Sequence, residues 1–170
     1  MGEARITYLG LGSNVGDRRG NMEDAVGLLQ DQSVQVLRSS SVWETEPVGE
    51  ILDQPDFFNA CLEVSTDLEP LVLLDVVKQL EIEMGRDPNG PKHGPRPLDI
   101  DLLLMEDTIL ESERLDLPHR EVTSRRFVMV PLLEIEPDLV TSTGVRIQDA
   151  LDELGDVPDQ RVRIAGPPLI

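Results

Sequence analysis

The run Leu98-Asp99-Ile100-Asp101-Leu102-Leu103-Leu104-Met105 constrains this chain more than any other segment. It reads as a strand, and side chains on a strand alternate between faces. Asp99 and Asp101 therefore share one face, while Ile100 and Leu102 point the other way, into a core. A fold for this chain must bury one side of the strand and still accommodate two neighbouring carboxylates on the other. Carboxylates so placed repel each other, so a positive partner is expected on them, and a hard divalent cation such as Mg²⁺ is the natural candidate. The segment just before, Gly94-Pro95-Arg96-Pro97, is stiff and basic, and Arg96 is a ready phosphate partner. The plain alternative, a solvated strand face, is weakened by the leucines at 98, 102, 103 and 104.

The rest of the chain supplies partners for that strand. Arg5–Leu11 alternates in β-formers and predicts a strand ending in the turn Gly12-Ser13-Asn14-Val15-Gly16-Asp17. Arg18–Leu29 predicts a helix, with Met22, Ala25, Val26 and Leu29 at helical spacing. Val34–Thr45 predicts one long, bent strand and Phe57–Ser65 another. Leu68–Met84 predicts a second helix, with Leu71, Leu74, Val77, Leu80 and Met84 as its core stripe. Gly85–Pro97 is a loop carrying four prolines and four basic side chains, His93 included. Loops that long inside a compact domain are usually functional. After the acid-bearing strand come a helix over Thr123–Ile135 interrupted near Pro131, a short amphipathic helix over Ile147–Leu154, and a polar tail rich in proline. Strand, helix, strand, strand, helix, strand is the ferredoxin-like βαββαβ order, an α+β fold with an antiparallel sheet. The expected organisation is a single domain over residues 1–170, with a core at about 5–140 and C-terminal additions at about 141–170.

Charge narrows the partners. A net charge of −18 makes nucleic acid and anionic membranes poor partners. No apolar run approaches the ~20 residues of a membrane span. The lone Cys61 cannot form an internal disulfide, and Met1–Arg5 lacks the apolar region of a secretory leader, so the expected location is the cytoplasm. Arg86, Lys92, Arg96, Arg114, Arg120, Arg125, Arg126, His93 and His119 fall within about a quarter of the chain, where an anion would most readily bind.

Other segments carry chemistry. Phe57 and Asn59 share one face of a predicted strand, so Phe57 can stack on a flat heterocycle while Asn59 reads its edge; the alternative is that Phe57 and Phe58 are both core. Arg86 and Arg96 flank the long loop and can close over a triphosphate. Pro118-His119 followed by Arg125-Arg126-Phe127 brings a histidine, arginines and the third phenylalanine together, with a capping or core histidine as the alternative. Glu81 lies on one helix face with Leu74 and Lys78; a solvated face is the alternative there.

Taken in order, Gly12-Ser13-Asn14, Thr45-Glu46-Pro47-Val48-Gly49, Asp53-Gln54-Pro55-Asp56-Phe57-Phe58-Asn59, Gly94-Pro95-Arg96-Pro97-Leu98-Asp99-Ile100-Asp101 and Pro118-His119…Arg125-Arg126-Phe127 resemble the 6-hydroxymethyl-7,8-dihydropterin pyrophosphokinases over about residues 5–140. These folate-pathway enzymes have a ferredoxin-like fold and move pyrophosphate from ATP to the pterin hydroxymethyl group. The resemblance implies two Mg²⁺ ions on Asp99 and Asp101, and a pterin sandwiched by Phe57 and Phe127 with its edge read by Asn59, Thr45, Glu46 and Val48. It implies phosphate-handling roles for Arg86 and Arg96, and further ATP contacts from Leu74, Lys78, Glu81, Lys92, Leu102, Arg114, His119 and Arg125. ATP and the pterin are then the partners of a monomer. Departures from the family pattern are His93 where Trp is frequent, Pro97 where many members have Thr, Lys78 for Gln, Arg120 for Tyr and Pro88 for Arg. Two readings from other classes remain: a ferredoxin-like module that only binds a small molecule, and a different Mg²⁺-dependent nucleotidyl or phosphoryl transferase.

Overall fold

In the computed structural model, which describes residues 2–47, 51, 53–90, 94–155, 157 and 160–170, strand β1 (Arg5–Ser13) is the axis of a six-stranded antiparallel sheet. It pairs with β4 (Phe57–Thr66) on one side and β5 (Asp99–Met105) on the other. The sheet order is β5-β1-β4-β3-β8, with β2 also on β4; its central strands follow the ferredoxin-like order expected from the sequence.

β1 runs two residues past its predicted end, because Gly12 and Ser13 stay in the ladder opposite Asn59 and Phe58 instead of turning. The turn follows at Gly16, whose φ of +71° suits glycine. Asp17 then caps helix α1 (Arg18–Gln30) by accepting from Gly20 N at 3.0 Å. The predicted stripe of Met22, Ala25, Val26 and Leu29 is buried.

The single strand expected over Val34–Thr45 is two, β2 (Val34–Ser39) and β3 (Val42–Thr45), both paired with β4. The break at Ser40 has a chemical cause. Ser40 N donates to Cys61 O at 2.9 Å, but Cys61 N donates to the Ser40 hydroxyl at 2.9 Å, so a side chain replaces a ladder carbonyl there.

Helix α2 (Pro70–Glu83) opens on proline, whose missing N–H costs nothing in a first turn. Its buried stripe is Leu73, Leu74, Val77, Leu80 and Glu81. Leu71, expected in that stripe, is 37% exposed, because the face toward the sheet is shifted to Leu73. Helix α3 (Arg126–Ile135) continues through Pro131 rather than breaking. Val128, Met129, Leu132 and Ile135 are buried beside it, and that packing offsets the one backbone bond the proline omits. A two-stranded hairpin, β6 (Leu110–Glu111) and β7 (Asp116–Leu117), precedes α3, and α4 (Ile147–Leu154) falls where the sequence places it. The tail, with no element expected, forms β8 (Val162–Gly166), paired with β3.

Strand parity separates two cores, with a register shift between β1 and β5 that leaves Leu103 and Leu104 on the same side. On one face Leu9, Leu11, Ala60, Leu62, Val64, Ile100 and Leu102 meet the apolar faces of α1 and α2. On the other, Cys61, Leu103 and Leu104 meet Val128, Met129 and Leu132 of α3. No helix among the described residues is long and apolar enough to cross a membrane.

Candidate active site

The site forms on the α3 face, where the sheet reads Gly10 and Gly12 on β1. Register places Gly12 opposite Asn59 of β4 and Asp99 of β5, and Gly10 opposite Cys61 and Asp101. The carboxylates and the Phe57/Asn59 column are therefore separated by the stretch of β1 that is bare on that face, Gly10 and Gly12. A Cβ at Gly12 would lie 3.0 Å from Asn59 Oδ1 and 3.5 Å from Phe57 Cδ1. The resulting cleft is bordered by Thr45, Glu46, Phe57, Asn59, Arg96, Asp99, Asp101, Arg125 and Phe127. Parity resolves the two readings of the adjacent phenylalanines: Phe57 lines the cleft, whereas Phe58 faces the first core under the Arg18 guanidinium, 3.7 Å above its ring. Asn59 Nδ2 donates to the Thr45 hydroxyl, fixing its amide oxygen toward Gly12.

A second cleft opens on the far side of Asp101, with Leu74, Lys78, Leu102, Arg114 and His119 on its walls. Asp101 borders both clefts.

The acids are unequal. Burial works against the Asp99 carboxylate, but Arg96, Lys78 and Arg86 outweigh it and hold its pKa below the usual 3.8. Arg86 Nη1 donates to Asp99 Oδ1 at 2.9 Å, and Arg96 Nη2 lies 3.7 Å from Oδ2. Asp101 has no such ion pair among the described residues, and burial together with the Asp99 charge pushes its pKa up to about 7. No group of three or more His, Cys, Asp or Glu among the described residues could hold a metal ion. Two adjacent carboxylates alone suit a hard cation that takes its other oxygens from phosphate and water. The donor set thus fits Mg²⁺ arriving with a nucleotide. Arg96 Nε adds a second sign: it is buried with no hydrogen-bond partner among the described residues, while the guanidinium stands 4.9 Å from the Phe57 ring centroid.

Several expected residues take different surroundings. Glu81, expected at the nucleotide, is 2% exposed and accepts from Arg86 Nη1 at 2.7 Å, Lys78 Nζ at 3.0 Å and Ile100 N at 2.8 Å. It braces α2 against β5 and has little surface for a ligand. Arg114 pairs with Asp75 at the outer wall of the second cleft. His119 Nδ1 accepts from Glu121 N at 3.0 Å, and burial, with the Arg125 charge, lowers its pKa. Arg125 sits 5.5 Å from the Phe127 ring centroid. Val48 and Lys92, along with His93, lie outside the described residues.

Asn14 is the residue that spacing alone did not single out. It is 2% exposed, and its Oδ1 accepts from Arg96 N at 2.9 Å. Its Nδ2 donates to Pro55 O at 2.9 Å and Gln54 Oε1 at 2.8 Å, and its backbone N donates to Arg96 O at 3.1 Å. One amide thus ties the segment carrying Arg96 to the segment leading into Phe57. The only sequence signal is its place in Gly12-Ser13-Asn14.

Comparison with known proteins agrees with this architecture. A family model described as 7,8-dihydro-6-hydroxymethylpterin-pyrophosphokinase (HPPK) matches residues 8–137. The chain is 42% identical over 156 residues to the 2-amino-4-hydroxy-6-hydroxymethyldihydropteridine pyrophosphokinase of Methylorubrum extorquens, covering 91% of this chain and 97% of that one. It is 44% identical over 127 residues to a folate synthesis bifunctional protein of Arabidopsis thaliana, where the match covers 75% of this chain but only 26% of the longer relative. The solved wild-type HPPK-DHPS of Plasmodium falciparum superposes with a TM-score of 0.69 at 17% identity, covering 90% of this chain and 45% of that one, a likeness of fold. This chain belongs to the HPPK family.

Proposed function

We propose that this protein transfers the pyrophosphoryl group of ATP to the hydroxymethyl group of 6-hydroxymethyl-7,8-dihydropterin, releasing AMP, as a step of folate synthesis. The observation that carries the reading is the position of Asp101 between two clefts, one flanked by Phe57 and Phe127 and the other by Leu74, Lys78, Arg114 and His119. A flat bicycle enters the first, with Phe57 and Phe127 against its ring and Asn59, Thr45 and Glu46 at its polar edge. The nucleotide enters the second, with its phosphates directed toward Asp99 and Asp101.

The hydroxymethyl oxygen attacks the β-phosphorus and gives up its proton, and the bond from that phosphorus to the oxygen bridging to the α-phosphorus breaks. No protein nucleophile is required, so the residues contribute position and charge. Arg96 offers its unpartnered Nε to a phosphate oxygen, and Arg86, next to Asp99, supplies a second guanidinium. Two Mg²⁺ ions held by Asp99 and Asp101 would neutralise phosphate charge and lower the hydroxyl pKa. The working unit is read as a monomer, and the enzyme as cytoplasmic.

The test is product identity. With MgATP and 6-hydroxymethyl-7,8-dihydropterin, nucleotide separation is expected to show AMP forming in step with the pterin diphosphate. ADP in place of AMP would make the protein an ordinary kinase, and pterin binding without turnover would make it a binding module.

A further inference from the structure

The family match ends at residue 137, yet the remaining chain returns to the cleft. We propose that the C-terminal residues Gly155, Gln160 and Val162–Ile164 position both walls of the pterin-side cleft, with Gln160 as the main positioning residue. The proposal rests on the function proposed above, since it assigns that cleft to the pterin.

Helix α3 begins just after Arg125, and its N-cap offers no side-chain hydrogen bond of its own. The first N–H groups of a helix have no partner within it. Gln160, 34 residues further along, supplies one: its Oε1 accepts from Arg126 N at 2.9 Å. Its Nε2 donates to Ser124 O at 3.2 Å. The single amide thus grips the chain on either side of Arg125, one residue from Phe127, and both of those side chains border the cleft. Gly155 O reinforces the grip by accepting from Arg126 Nη1 at 3.2 Å. Gln160 N itself donates to Val157 O at 2.9 Å.

Two residues later the same segment reaches the opposite wall. Val162 pairs with Thr45, Arg163 with Glu44 and Ile164 with Trp43. Thr45 accepts the Asn59 amide, so β8 backs the residues at the polar edge of the cleft. Arg163 also donates to Glu44 Oε1 at 2.8 Å and lies 3.6 Å from Asp56 Oδ2, adjacent to Phe57. One short stretch therefore spans from the start of α3 to the end of β3 and sets the distance between the aromatic walls. None of its described contacts reaches the second cleft, whose walls are α2, β5 and the residues around the β6–β7 hairpin.

This asymmetry gives the test. Binding of 6-hydroxymethyl-7,8-dihydropterin is measured by calorimetry in the presence of Mg²⁺ and a non-hydrolysable ATP analogue, alongside steady-state kinetics. Gln160→Ala is expected to weaken pterin binding about fivefold, the effect of losing a helix cap, with ATP KM and kcat within about twofold of wild type. Gln160→Met keeps the length without the hydrogen bonds and should show the same loss, and it serves if the alanine variant folds poorly. Gln160→Glu keeps an acceptor for Arg126 N–H and should bind the pterin more tightly than either. Unchanged pterin affinity in the alanine and methionine variants would overturn the proposal, as would an equal loss of ATP and pterin affinity. Phe127→Ala separates this from the underlying reading. If it weakens pterin binding while the Gln160 variants do not, the cleft assignment stands and the role of the tail falls. If wild type itself binds no pterin, both fall.

Discussion

The glycine floor of the cleft gives the sharpest test of the site. Gly12 has no side chain between Asn59 and Asp99, and a methyl added there would stand 3.0 Å from Asn59 Oδ1, 3.5 Å from Phe57 Cδ1 and 3.9 Å from Asp99 Cβ. The first distance is a few tenths of an ångström shorter than a comfortable carbon–oxygen contact, so Asn59 must yield. Its amide is anchored by the bond to Thr45, so yielding turns the oxygen away from the ligand edge or breaks that bond. Losing one well-placed hydrogen bond in a buried site costs about 1–3 kcal/mol, which is roughly 5- to 150-fold in affinity. Gly10 is the control: a methyl there meets only the Leu103 side chain, at 3.5 Å, an ordinary packing distance. Neither glycine is among those with positive φ, so alanine is compatible with both backbones, and the smaller unfolded-state entropy should offset part of any packing cost. Pterin binding by calorimetry is expected to fall at least tenfold in Gly12→Ala and less than threefold in Gly10→Ala, with Tm changed by no more than a few degrees in either. Equal losses in the two variants, or a Gly12→Ala protein that binds the pterin as wild type does, would refute the placement of the pterin on this floor.

The carboxylate pair and its supports make further predictions. Asp99→Ala or Asp101→Ala should lower kcat at least ~100-fold, about 2.7 kcal/mol of transition-state stabilisation; a variant within threefold of wild type in MgATP would defeat the metal assignment. Asn14→Ala should raise KM for both substrates by roughly tenfold, since an amide bonded to Arg96 and Pro55 serves both sides of the site, at about 1 kcal/mol per lost bond; a rise for one substrate alone would break that link. The raised pKa of Asp101, about 7 against an ordinary 3.8, means that the folded state holds this proton more tightly than the unfolded chain. Its contribution to stability is complete below the unfolded value and is lost as pH rises through about 7. Metal-free protein should therefore lose Tm from about pH 4 to about pH 7 and level off above it, and saturating Mg²⁺ should alter that slope; a slope insensitive to Mg²⁺ would count against cation binding at the pair.

What the sequence revealed, it revealed through period and spacing. The alternation on β4 and β5 put Phe57 with Asn59 and Asp99 with Asp101, each pair on one face of its own strand, and the ladder through Gly10 and Gly12 brings both pairs to the same face of the sheet. The break at Ser40 was hidden because it depends on a hydroxyl replacing a carbonyl in a long-range pair with Cys61. The burial of Leu73 in place of Leu71 reflects how α2 is rotated on the sheet, which its own apolar pattern does not determine. Asn14 and Gln160 escaped for a common reason. Each acts through bonds to chain 34 or more residues away, and no local pattern distinguishes a polar side chain so employed from one in water. β8 was missed because Val162–Gly166 has its partner at β3, more than a hundred residues earlier.

The contacts of Arg86 reach beyond its own reach. With its guanidinium shared between Glu81 and Asp99, Arg86 acts as a resident counter-ion at the place where a divalent cation would sit. A cation held on Asp99, as proposed above, would take the place of a charge that Arg86 already supplies. The exchange is tolerable on the helix side because Glu81 does not depend on Arg86 alone: Lys78 Nζ and Ile100 N remain on its Oε2. A buried carboxylate stripped of its only partner would cost several kcal/mol; one with a second cation in place costs far less. Lysine at position 78 thus keeps a cation on Glu81 independently of Arg86.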